Sequence, residues 1–139
     1  MMEDTILEVE NLRTSFATDA GSVQSVRGIT FHVGKGESLG IVGESGCGKS
    51  VTMLSIMGLL EDNASRQADA LLFDGEDLLK KSPREMRKIQ GNRIGMIFQD
   101  PMTSLNPLFT VGEQIRGPLM RHQKLSRKEA EKKALVMLE

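Results

Sequence analysis

The run Gly43-Glu44-Ser45-Gly46-Cys47-Gly48-Lys49-Ser50 constrains this chain more than any other stretch. It fits G-x-x-x-x-G-K-[ST], the pattern of a phosphate-binding loop. Its surroundings fit too. Glu37-Ser38-Leu39-Gly40-Ile41-Val42 reads as a buried strand, and Val51–Met57 reads as a helix that is apolar almost all round and therefore buried. The physics of such a loop is direct. Gly43, Gly46 and Gly48 lack a Cβ, so the backbone is free to take positive φ and to approach a ligand closely. Successive N–H groups then face one concavity. The helix start adds unpaired N–H groups and a positive dipole end. Lys49 supplies a charge for phosphate, and Ser50 supplies a hydroxyl for Mg²⁺. Glu44, Ser45, Cys47 and Val51 complete the candidate nucleotide-binding stretch. Cys47 occupies a position the pattern leaves free; a small tolerated side chain explains it better than a redox role.

The chain has 139 residues, enough for one small domain with a real core. It carries 18 basic and 19 acidic residues, a net charge of −1. Such a balance gives no field that would make nucleic acid a main partner. No apolar run approaches the length of a membrane-spanning helix. The first residues lack the basic start and apolar stretch of a signal peptide. The single Cys47 has no partner for an internal disulfide, which suits a reducing compartment.

Thr5 to Phe16 reads as a half-buried strand, with Leu7 and Val9 alternating with Glu8 and Glu10. Thr18 to Ser22 is turn material. Val23 to Val33 is a second strand, paired antiparallel with the first. His32 falls on its polar side, as a solvated strand histidine does. Glu61 to Gln67 is polar and reads as a loop. Ala70-Leu71-Leu72-Phe73-Asp74 has two readings. Four apolar residues ending in Asp resemble the second NTPase motif, whose Asp holds Mg²⁺. Asp74-Gly75 is also a strong hairpin dipeptide, and a strand ending in a turn is the favoured reading. Ser82-Pro83-Arg84-Glu85, Thr110-Val111-Gly112-Glu113 and Ser126-Arg127-Lys128-Glu129 are capping boxes, so each opens a helix. Gly117-Pro118 should bend or end the second of these. Ala130, Ala134, Met137 and Leu138 share one stripe of the third. Arg93 to Phe98 reads as a further apolar strand.

The phosphate loop, the order of elements and the run Ile97-Phe98-Gln99-Asp100-Pro101-Met102-Thr103-Ser104-Leu105-Asn106-Pro107 resemble an ABC-transporter ATP-binding subunit. Phe98 to Pro107, Asn11 to Phe16 and Phe73 to Leu78 resemble the dipeptide/oligopeptide (peptide/nickel) importer branch in particular. The resemblance covers essentially the whole chain. It implies an α/β fold: a P-loop NTPase-like core with an N-terminal antiparallel β subdomain. Residues 1–109 would form that part, ending after the Q-loop. Residues 110–139 would be the start of a helical subdomain, where the chain looks truncated. ATP and Mg²⁺ are the implied cofactors. In this resemblance Phe16 takes the place of an aromatic that stacks on adenine. Gln99 takes the Q-loop position, where its amide reaches Mg²⁺ and the attacking water, a metal-binding and catalytic role. The implied partners are transmembrane permease subunits of an importer and a second ATP-binding subunit, at the inner face of the cell membrane.

The Leu-Ser-Gly-Gly-Gln signature and an apolar strand ending Asp-Glu, which the family uses for hydrolysis, are not in these residues. The expectation is a chain that binds nucleotide without hydrolysing it. Two alternatives stand beside it: a soluble P-loop kinase or NTPase using Asp74 for Mg²⁺, and a non-enzymatic fragment that mainly self-associates.

Overall fold

A computed structural model describes residues 4–99 and 104–139. Among them are five strands and four helices: β1 (Thr5–Thr18), β2 (Gly21–Gly34), α1 (Lys49–Met57), β3 (Ala64–Gln67), β4 (Ala70–Phe73), β5 (Glu76–Asp77), α2 (Pro83–Ile89), α3 (Val111–Gln123) and α4 (Arg127–Leu138). The chain divides into two compact units, 1–86 and 87–139.

In the first unit, β1 is the centre of an antiparallel sheet ordered β2-β1-β4-β5. One edge of β1 pairs along its length with β2. The other edge takes β4 at residues 7–10 and β3 at residues 13–16. The β1–β2 hairpin is longer than the alternation alone marks, running to Thr18 and Gly21. The pairing slips between Val9 and Leu12, where Asn11 has φ 49°. Asn tolerates this left-handed conformation better than most residues. The irregularity changes which parity faces inward. Val9 is buried before it; Leu12 and Thr14 are buried after it.

α1 packs against this sheet with Thr52, Ser55, Ile56 and Met57 buried. It ends as a Schellman motif: Gly58 is left-handed, its N–H bonds Ser55 O, and Leu59 N–H bonds Leu54 O at 2.9 Å. The core of this unit is Val9, Leu12, Val26, Ile56, Met57, Leu71, Phe73, Leu78 and Met86.

Glu61 to Gln67 is not all loop. Ala64–Gln67 forms β3, because the free edge of β1 offers backbone partners that override a polar sequence. At Asp74 the hairpin reading holds. β4 and β5 pair antiparallel, and Asp74 (φ 51°) and Gly75 (φ 77°) make the turn with both residues left-handed.

The buried strand expected over Glu37–Val42 is not formed, nor is the strand over Arg93–Phe98 beyond a single bridge from Gln90 to Ile94. Val42 is 94 % exposed and Ile97 98 %. A strand exists only where a neighbour takes its N–H and C=O groups, and among the described residues no strand pairs with either segment.

In the second unit the expectations for α3 and α4 are met only in part. Both capping boxes close, through Thr110 with Glu113 and Ser126 with Glu129. Leu119, Ala130 and Ala134 form a small core with Ile115 and Leu125 beside it. α3 does not end at Gly117-Pro118 but continues to Gln123, so packing against α4 outweighs the ladder bond that proline removes. The expected α4 stripe is half right: Ala130 and Ala134 are buried, whereas Met137 and Leu138 are exposed.

Candidate functional site

The phosphate-binding loop leaves β2 through an extended stretch and ends at the head of α1. Gly46 (φ 80°) and Gly48 (φ 95°) are left-handed, as a loop that turns its N–H groups inward requires. Gly43 is needed for a different reason than expected. Its φ is ordinary, but a Cβ there would lie 2.5 Å from Cys47 Sγ. The exposed Cys47 thus folds its sulfur over Gly43.

Lys49 reaches back across the loop. Its Nζ donates to Gly43 O at 2.5 Å, to Glu44 O at 2.7 Å and to Cys47 Sγ at 3.4 Å. An ammonium held by carbonyls in the mouth of the loop is placed where a phosphate oxygen would compete for it. The turn is tightened by Cys47 N–H donating to Glu44 O at 3.4 Å.

α1 begins without a cap. Gly48 offers no side chain to its first turn, and that turn holds no acidic residue. The N–H groups of Lys49, Ser50 and Val51 therefore have no acceptor within the helix. In α3 and α4 a Thr or Ser and a Glu close the same position. Ser50 is exposed at this end, placed to offer its hydroxyl to a cation that a bound phosphate also holds.

Beside the loop lies an open cleft of about 530 Å³. One wall is β2 from Val23 to Arg27 with Ile29; the other is Gly46, Cys47 and Thr52. β2 carried no functional reading in the sequence, since a strand that lines a cleft has the same alternation as one that does not. Phe16 is half-buried within β1 and does not line this cleft, but its cross-strand partner Val23 does. Glu44 and Ser45 are exposed on the loop. Gln99 belongs to the second unit and is exposed there. Asp100, Pro101, Met102 and Thr103, which carry part of the resemblance, lie outside the described residues. Among the described residues no group of three His, Cys, Asp or Glu could hold a metal by itself. The residues present thus fit a metal that arrives with phosphate rather than a metal bound by protein alone.

A loop of this geometry at the head of an uncapped helix, beside an antiparallel sheet, defines a phosphate-binding α/β domain. The ABC transporter model matches residues 26–139, and the chain belongs to that family. It is 54 % identical over 136 residues to the dipeptide transport ATP-binding protein DppD of Bacillus subtilis, covering 97 % of this chain and 41 % of that protein. It is 50 % identical to the oligopeptide transport ATP-binding protein OppD of the same organism, over 96 % of this chain and 38 % of the relative. With OppD of Escherichia coli the identity is 45 %, over 98 % and 40 %. The chain thus spans about two fifths of the length of these relatives. Its fold matches the ATP-binding cassette MJ0796, solved as a dimer in a post-hydrolysis state with ADP and phosphate. That match has a TM-score of 0.74 at 27 % identity, covering 93 % of this chain and 54 % of the other.

Proposed function

We propose that this chain is the nucleotide-binding part of an ATP-binding subunit that energises an importer of di- or oligopeptides. The observation that carries the first half is Lys49 Nζ held between Gly43 O and Glu44 O, in front of the uncapped N-terminus of α1. A phosphate of ATP or ADP would exchange carbonyl partners for charged ones and accept from the first-turn N–H groups. The adenine end would lie along the β2 cleft, with Phe16 one strand behind it. Glu44, Ser45, Gly46, Cys47, Gly48 and Val51 would contribute backbone and shape. Ser50 would hold Mg²⁺ together with the phosphate oxygens, and Gln99 would take the catalytic, metal-contacting Q-loop role. Bound Mg²⁺ supplies charge neutralisation for the phosphates. The substrate class is supported by the relatives, which are dipeptide and oligopeptide transport ATP-binding proteins. Permease subunits and a second ATP-binding subunit would be the partners, at the inner face of the membrane. No described helix is long and apolar enough to cross a membrane.

The residues that would hold phosphate do not by themselves supply a base for water. Phosphoryl transfer needs both positioning and charge neutralisation around an in-line water. We infer that these 139 residues alone bind nucleotide with negligible turnover. Titration calorimetry with ADP and ATP·Mg²⁺ tests the first statement, and phosphate release tests the second. Binding unchanged in Lys49→Ala, or steady turnover that this variant abolishes, would refute the respective half.

Val42, Ile97 and Leu108 are each more than four-fifths exposed. Apolar surface of this kind supports association of the isolated chain. A monomeric mass by light scattering at high concentration would remove this second reading.

A further inference from the structure

Two residues of the sheet take hold of one residue of α1. Thr14 on β1 and Arg66 on β3 are direct cross-strand partners. Thr14 Oγ1 lies 2.7 Å from Ser55 Oγ, and both residues are fully buried. Ser55 gives its one hydroxyl proton to Val51 O at 2.6 Å. Thr14 is therefore the donor in the bond the two hydroxyls share. Arg66 takes the other side of the same residue. Its Nη1 donates to Ser55 O, and its Nη2 donates to Leu78 O at 3.3 Å. The guanidinium packs over Gly58, whose left-handed φ of 65° ends the helix beside it. The guanidinium is part-buried, and burial pushes its pKa down. It lies at the negative end of the α1 dipole, where a cation is favoured.

The opposite end of α1 is also fixed. Gly48 packs on β2 so closely that a Cβ would lie 2.7 Å from Ser25 O. Gly48 and Ser55 are about 10 Å apart along the helix axis. Two anchors at that spacing determine where the axis points. With the Ser55 anchor released, a shift of about 1 Å there would turn the axis by about 6° about Gly48. The first-turn N–H groups would turn with it.

We infer that Thr14 and Arg66 are positioning residues for the phosphate loop: gripping Ser55 by its hydroxyl and its carbonyl, they aim the N–H groups of Lys49, Ser50 and Val51 at the cleft beside β2. The inference rests on the reading of that loop as the nucleotide site. Neither residue needs to touch the nucleotide. Their effect passes through α1 alone.

The test uses the whole chain with ADP as the probe, in six forms: wild type, Thr14→Val, Arg66→Met, the double variant of these two, Lys49→Ala and Thr30→Val. Thr30 accepts a hydrogen bond from Asn11 N–H on the far part of the sheet, so its variant is a control for loss of a sheet hydroxyl. Calorimetry gives affinity, thermal unfolding gives stability, and amide exchange reports on residues 48–52. Thr14→Val and Arg66→Met should each weaken ADP binding about tenfold, as loss of one strong hydrogen bond would. Both should speed exchange at 48–52 without nucleotide, while Thr30→Val does neither. The double variant should lose less than the product of the singles, because both act on Ser55. If Lys49→Ala loses binding but Thr14→Val and Arg66→Met bind and exchange like Thr30→Val, the positioning role is overturned and the nucleotide reading stands. If Lys49→Ala binds ADP as wild type does, the nucleotide reading falls and takes the inference with it.

Discussion

Gly48 and Ser25 approach so closely that no side chain fits between them: a Cβ on Gly48 would lie 2.7 Å from the Ser25 carbonyl oxygen. The contact brings the head of α1 against β2, and so brings the phosphate loop against the cleft that β2 lines. Gly48 is also left-handed, at φ 95°. Gly48→Ala meets both obstacles at once. It should destabilise the chain by about 1–3 kcal/mol, the range for a strained backbone position. It should also abolish ADP binding at concentrations that saturate the wild type. Urea unfolding and calorimetry measure the two effects separately.

Gly43 offers a sharper test, because its neighbour is a side chain rather than a backbone atom. A Cβ at Gly43 would lie 2.5 Å from Cys47 Sγ. Gly43→Ala should weaken ADP binding, and adding Cys47→Ala should restore most of it by removing the sulfur. Cys47→Ala alone should bind within about twofold of wild type, since Lys49 keeps its two carbonyl partners. No rescue in the double variant would mean that Gly43 is needed for its own N–H geometry.

Lys49→Ala leaves the carbonyls of Gly43 and Glu44 without their donor and removes the charge in the mouth of the loop. The expected loss in ADP affinity is roughly 1.5–3 kcal/mol, as for hydrogen bonds to a charged group. The unfolding midpoint should change little, because this side chain spans an exposed loop.

Asp74 and Gly75 form a hairpin turn with both residues left-handed. Asp74→Asn should leave Mg²⁺-dependent nucleotide affinity unchanged, because Asn serves the same turn. Gly75→Val should cost about 1–2 kcal/mol of stability through the left-handed penalty. A loss of Mg²⁺ dependence in Asp74→Asn would revive the reading of Asp74 as a metal ligand.

The capping boxes give the chain an acid-side pH dependence. The Thr110 backbone N–H, then its hydroxyl, holds Glu113 below the usual carboxylate range. The Ser126 hydroxyl, then its N–H, does the same for Glu129. A carboxylate with a lower pKa in the folded state adds stability above its unfolded value, and this is lost as pH falls through the folded value. The loss should therefore begin near the ordinary glutamate value of 4.5 and continue downward. The double variant Glu113→Gln, Glu129→Gln should flatten the fall of Tm over that window. Parallel Tm curves for variant and wild type would show that the boxes do not titrate in this way.

Much of this was legible locally. The glycines and Lys49 of the loop, the three Ser/Thr-x-x-Glu boxes and the Asp74-Gly75 turn each act through neighbours within a few residues. Sequence spacing therefore sets their geometry almost directly. The loop pattern also identified Lys49 and Ser50 as the charged and hydroxyl groups at the head of α1. Other features depend on chain far away. Glu37–Val42 has every mark of a strand and forms none, because pairing partners decide strands. Ala64–Gln67 has few marks of a strand and forms one, because the edge of β1 is there to receive it. Asn11 reverses the inward parity of β1 and so buries Thr14, which simple alternation does not foresee.

The sequence by itself determined that a glycine-rich loop would close around Lys49 at the head of α1, since eight contiguous residues carry its charge and its conformational freedom. Only the tertiary structure decided what that loop faces and how it is aimed. β2 supplies the cleft wall, Ser25 bears on Gly48, and Thr14 with Arg66 grips Ser55. Those contacts join residues 11 to 41 positions apart, and packing in three dimensions, not spacing along the chain, brings them together.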